Sequence, residues 1–165
     1  MTTQADLDVC YMKVAEAHAE LSKAQRSKVG CCLVTENGTV LAGCNGLAPG
    51  GSNELEHKQY MPIDAGGWLD LDEIIEKWPY KDENGRYALV TKDQTIHAEL
   101  SCILRAAKEG VSIQGATLYT TLSCCLRCSE MIAAAGVNRV VYKQEYRDCS
   151  GLDNLKELGI LVEKI

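Results

Sequence analysis

From residue 97 to the end of the chain, helical and extended patterns take turns, and this alternation limits the fold more than any other feature of the sequence. Residues 97–109 set Leu100, Ile103, Leu104 and Ala107 on one helical face, and Gly110 marks the stop. Ala116-Thr117-Leu118-Tyr119-Thr120-Thr121 reads as a strand, 125–135 as a helix closed by Gly136, and 137–142 as a second strand. Residues 152–158 read as a helix and 160–162 as a last strand. Strands joined through helices pair in parallel, because the crossover returns the chain to the same end of the sheet. Helices then cover both faces.

The first half is organised differently. Residues 6–24 carry Leu7, Cys10, Val14, Ala17 and Leu21 at helical spacing. Two β-type runs follow, 29–34 and 39–42, with Glu36-Asn37-Gly38 between them as a hairpin signal. Residues 43–67 are rich in Gly, Asn and Pro and read as a long loop, whose length favours a functional role or an insertion. Residues 69–78 read as a short helix starting near Asp70 or Asp72, and 79–94 as a polar loop. No repeat or linker breaks the chain, so 1–165 is expected to form a single domain with a glycine-rich insertion at about 46–94.

Charge and cysteine content bound the function. A net charge of −6 repels polyphosphate and argues against nucleic acid as a partner. A small anionic substrate stays compatible, since a few local Arg or Lys residues hold one phosphate. The N-terminal residues lack a basic segment followed by an apolar one, and no apolar run is long enough to span a membrane. The expectation is a cytoplasmic protein with no membrane partner. The nine cysteines then read as metal ligands or small core residues rather than disulfides.

His97-Ala98-Glu99 and Cys125-Leu126-Arg127-Cys128 carry the chemistry. Cys125 and Cys128 have the spacing of a zinc pair in the first turn of a helix, where the positive potential favours thiolate. His97 falls at another helix start. Three such ligands leave one position of a tetrahedral Zn2+ site for water, and Glu99 stands near enough to move that water's protons. A thioredoxin-like redox pair would give His97 and Glu99 no role. Cys124 allows a different pairing with Cys128, or a fourth ligand that would close the site into a non-catalytic assembly module.

These fragments and several others make the chain resemble the deoxycytidylate (dCMP) deaminases of the cytidine deaminase superfamily, phage and bacterial members above all. The matching stretches are Lys28-Val29-Gly30, Gly43-Cys44-Asn45-Gly46, His97-Ala98-Glu99-Leu100, Gly115 to Tyr119, Cys125 to Cys128, Ala135 to Tyr142, and Tyr146. Three positions depart from the usual pattern: Cys124 stands where Pro is usual, Cys44 where Tyr is, and Ser101 where Asn is.

The resemblance implies an α/β fold, a three-layer α/β/α arrangement around a central mixed five-stranded sheet. It implies hydrolytic deamination of dCMP to dUMP, with Zn2+ on His97, Cys125 and Cys128 and Glu99 as base and then acid. Asn45 would hold the sugar 3′-hydroxyl and Tyr146 the phosphate, with Arg26, Ser27 and Lys28 supplying charge and a hydroxyl nearby. The family pattern also implies a homohexamer activated by dCTP and inhibited by dTTP, with Mg2+ on the triphosphate. The effector contacts map to Gly50, Gly51, Asn53 and Glu54. Rival readings are a nucleoside, guanine or tRNA-adenosine deaminase.

Overall fold

The computed structural model describes residues 1–165. Five strands build the main sheet: β1 (Gly30–Val34), β2 (Val40–Cys44), β6 (Thr117–Leu122), β7 (Arg139–Gln144) and β8 (Leu161–Lys164). Their order is β2-β1-β6-β7-β8. The β1/β2 and β1/β6 pairs are antiparallel, and β6/β7 and β7/β8 are parallel, so the sheet is mixed as expected. The hairpin between β1 and β2 turns at Gly38, whose φ of 83° suits glycine, while Asn37 keeps negative φ. Gly38 N–H closes the turn on Thr35 O at 2.9 Å.

Helix α1 (Gln4–Ala19) covers one face, packing on β1, β6 and β2. Helices α3 (Ala98–Glu109), α4 (Leu126–Ala134) and α5 (Ser150–Glu157) lie on the other. Side-chain alternation divides the core accordingly. Cys31, Leu33, Leu118 and Val140 join the larger cluster with the residues of α3 to α5, whereas Cys32, Tyr119 and Val141 meet Met12 and Ala15 of α1.

Two helices bury faces other than those their large apolar residues suggest. In α1 the buried residues are Asp8, Met12, Ala15 and Ala19, while Leu21 lies beyond the helix and is 63% exposed. In α3 they are Ala98, Glu99, Cys102 and Ala106, while Leu104 is 48% exposed. Close approach is the cause. A Cβ at Gly30 would fall 1.8 Å from Ala15 O, and one at Gly43 would fall 2.7 Å from Ser101 Oγ. Helices this near a sheet must present small residues to it. Asp8 tolerates burial because Arg139 grips it twice, Nη1–Oδ1 at 2.8 Å and Nη2–Oδ2 at 2.7 Å. Tyr119 OH donates to the same carboxylate at 2.8 Å. The Arg139 hydrogen bonds hold the Asp8 carboxyl down at about 2.

The stretches read as loops, 43–67 and 79–94, contain a second sheet instead. Its strands are β3 (Glu56–Tyr60), β4 (Tyr80–Asp82) and β5 (Gly85–Thr91), antiparallel in the order β3-β5-β4. Tyr87 stacks on Tyr80 with ring centres 5.5 Å apart, and Lys58 lies over Tyr87 at 4.6 Å. Between β3 and β4 runs the expected short helix, α2 (Leu71–Lys77), capped by Asp70 and Glu73 in a reciprocal box. Lys92 N–H to Leu55 O, at 2.8 Å, continues the pairing beyond the strand ends. No helix is long and apolar enough to cross a membrane.

Candidate metal and substrate site

His97 is the N-cap of α3 and Cys125 the N-cap of α4. Both backbones are extended there, and neither side chain caps its own helix, so both stay available. Cys128 sits one turn into α4. The three donors converge: His97 Nδ1 lies 3.6 Å from Cys125 Sγ and 3.4 Å from Cys128 Sγ, with all donor atoms within 4.8 Å of one another. Tetrahedral zinc with ordinary Zn–S and Zn–N bonds requires N–S edges of about 3.5 Å. The residues therefore fit the metal, and His97 would bind through Nδ1.

Cysteine electrostatics agree. Hydrogen bonds from Cys128 and His97 pull the Cys125 thiol far below its ordinary value, while the hydrogen bond to Cys125, followed by burial, pushes the Cys128 thiol up. Cys124 does not join the donor group. It is fully buried in the larger core cluster, and burial pushes its thiol up to about 12. Cys124 therefore does not close the three-donor group into a four-ligand site.

Glu99, in the first turn of α3, is 4% exposed, and burial raises its carboxyl above the usual carboxylate range. It lines a cavity of about 220 Å³ together with His97 and Cys125. The same cavity is lined by Arg26, Ser27, Asn45 and Tyr146. These residues lie far apart in sequence because each stands at an element's end. Arg26 and Ser27 precede β1, Asn45 follows β2, Ser123 and Cys125 follow β6, and Tyr146 follows β7. Strand ends meeting at one rim form the crevice usual for ligands in α/β sheets.

The rim is tied by specific bonds. Asn45 Oδ1 accepts from Val29 N–H and its Nδ2 donates to Ser27 O, both at 2.9 Å. Tyr146 N–H donates to Ser123 Oγ at 2.8 Å. Arg26 Nη1 reaches Thr91 Oγ1 at 3.3 Å.

Lys28 lines a neighbouring depression with Lys143 and Glu16, rather than the cavity itself. Gly50, Gly51, Asn53 and Glu54 lie on the exposed loop before β3, and none lines the cavity. Glu54 approaches only Lys92, at 3.9 Å.

Four polar cavity residues escaped the sequence reading: Glu56, Thr91, Thr95 and Ser123. Asn84-Gly85 followed by Tyr87-Ala88-Leu89-Val90-Thr91 is a hairpin-and-strand signal that would have placed Thr91. Glu56 has no such signal, since Glu56-His57-Lys58-Gln59-Tyr60 shows no apolar alternation.

Comparison with known proteins gives three findings. Residues 6–144 match the family model described as the cytidine and deoxycytidylate deaminase zinc-binding region. The deoxycytidylate deaminase of Enterobacteria phage T2 is 34% identical over 92% of this chain and 88% of its own. The crystal structure of dCMP deaminase from the cyanophage S-TIM5, in complex with dCMP and dUMP, superimposes with a TM-score of 0.75 at 33% identity, covering 99% of this chain and 100% of that one.

Proposed function

The chain belongs to the family of the cytidine and deoxycytidylate deaminase zinc-binding region, and from that premise we propose that it is a zinc-dependent enzyme converting dCMP and water to dUMP and ammonia. The observation that carries this reading is the single cavity joining His97, Cys125 and Glu99 to Arg26 and Tyr146. A carboxylate fit for proton transfer and side chains that can donate to a phosphate line one open cleft.

His97, Cys125 and Cys128 would hold the zinc, which would supply Lewis acidity toward water at neutral pH. Glu99 moves the protons. Its carboxylate takes one from the attacking water and places it on N3 of the cytosine. It then carries the second to the amino group at C4. A C–O bond forms at C4, the C–N bond breaks, ammonia leaves, and the carboxylate returns to its starting state. A buried carboxyl with a raised proton affinity suits both halves of this cycle.

In this reading Arg26 pairs with the 5′-phosphate, Ser27 and Tyr146 donate hydroxyl hydrogen bonds to it, and Asn45 meets the sugar; that all four line the cavity supports it. Lys28, outside the cavity, contributes charge from a distance. Release of ammonia from dCMP, dCTP, deoxycytidine and cytosine, measured with zinc content, tests the assignment. Preference for dCMP is expected, and preference for the nucleoside or the free base would overturn it.

The same family pattern supports regulation: a homohexamer activated by dCTP and inhibited by dTTP, with Mg2+ on the triphosphate and contacts from Gly50, Gly51, Asn53 and Glu54. A hyperbolic dCMP curve unmoved by either triphosphate would overturn that part alone.

A further inference from the structure

Glu56, the first residue of β3, is 7% exposed and lines the cavity. Its two oxygens have different fates. Oε1 accepts from the N–H groups of Gln25 at 3.1 Å and Arg26 at 3.2 Å. Oε2 is buried with no hydrogen-bond partner in the protein. Among the buried side-chain oxygens and nitrogens of this molecule it is the one left unpaired. A buried acceptor left unpaired costs free energy, so its partner is to be sought among what enters the cavity.

We infer that Glu56 Oε2 accepts a hydrogen bond from the substrate's 3′-hydroxyl and so makes Glu56 a residue that selects for a free 3′-OH. This rests on the nucleotide reading above and deepens it. A carboxylate oxygen needs a donor. The phosphate, O2 and N3 of dCMP only accept. The amino group donates, but it must leave beside Glu99 and the zinc ligands. Only the sugar hydroxyl remains. Position agrees, because Oε1 is fastened to the backbone of Arg26, the residue placed to meet the phosphate.

Asn45 complements this contact rather than duplicating it. Its Oδ1 already takes Val29 N–H, and one of its amide hydrogens goes to Ser27 O. The remaining N–H can donate to the hydroxyl oxygen, and that leaves the hydroxyl proton in need of an acceptor. Glu56 Oε2 supplies it.

The test compares kcat/KM for dCMP with that for its 3′-deoxy and 3′-fluoro analogues. Wild-type protein is expected to prefer the hydroxyl by roughly 50-fold, the usual scale of leaving a buried acceptor unpaired. The fluoro compound should do no better than the deoxy one, since fluorine offers no proton. In Glu56→Gln the amide oxygen can keep the Gln25 and Arg26 contacts, and the preference should shrink at least fivefold. If Glu56 only anchors residues 25 and 26, all three substrates decline together and the ratio stays at the wild-type value, which overturns the inference. So does efficient turnover of the fluoro analogue by wild-type protein, a result that needs no variant to fold. Should wild-type protein deaminate none of these compounds, the failure belongs to the reading of the reaction. Calorimetric binding of the hydroxyl and deoxy ligands then decides the contact, equal affinities sinking it.

Discussion

The carbonyl oxygen of Cys124 rests against the α-carbon of Gly151, so closely that a Cβ at residue 151 would stand 2.1 Å from it. The same Cβ would be 2.7 Å from the carbonyl carbon of Cys125. Helix α5 therefore backs the turn that delivers Cys125, the proposed zinc ligand. No flexible side chain is available to yield, because both clashing groups are backbone. Gly151→Ala should shift that turn, lowering zinc content below one ion per chain and activity by about tenfold or more, as misplaced catalytic groups do. Metal analysis beside the ammonia assay checks this, and wild-type values of both would show that the turn can move without cost.

Glu99→Gln keeps the shape of the side chain and removes its capacity to carry protons. Zinc content should stay at the wild-type level while kcat falls about 100-fold or more, the scale of a positioned acid–base group. Retained turnover in this variant would remove Glu99 from the reaction.

Chelation should abolish activity without unfolding the chain. His97 and Cys125 stand at the N-cap positions of helices that pack on a core of 16 buried residues, so the fold does not depend on the metal as a small zinc module does. Far-UV circular dichroism of the stripped protein should match the loaded protein, with activity restored by Zn2+. Loss of the helical signal on chelation would reverse this view.

The Asp8–Arg139 pair makes stability depend on acid. The carboxyl sits near 2 in the folded protein against 3.8 in the unfolded chain. Its contribution is therefore complete above pH about 4 and fades as pH falls towards 2. Across that window the wild-type protein should lose about 2 kcal/mol that Asp8→Asn does not. Arg139→Ala, which leaves the carboxylate buried and unpaired, should cost about 3 kcal/mol or more at neutral pH. Urea unfolding at pH 7, 4 and 2 separates the two effects.

The strands and helices of the second half were legible because their residues serve one purpose each. Runs such as Ala116 to Thr121 exist to be buried in a sheet, and Gly110 and Gly136 to stop helices, with φ of 68° and 85°. What misled was the assumption that the largest apolar residues face inward. Ala15 and Ala106 do so instead, since the helices approach the sheet at Gly30 and Gly43. A buried Asp8 was illegible until its partner, 131 residues away, was in view. The clustering of His97, Cys125 and Cys128 was readable from the Cys spacing and from the two helix starts. Glu56 was not, because its role depends on where two backbone N–H groups happen to lie, and no residue pattern encodes that.

Every cavity residue named above stands at a strand or helix terminus, in the first turn of a helix, or in a connecting segment, while the interior of the main sheet is filled by residues such as Leu33, Leu118 and Val140 that do not line the cavity. A saturation scan scored separately for abundance and for turnover should then split into two largely disjoint sets of positions. Drift in the rim could retune which nucleotide is accepted while the sheet beneath it stays as it is, and descendants of such a chain could change substrate long before they change shape.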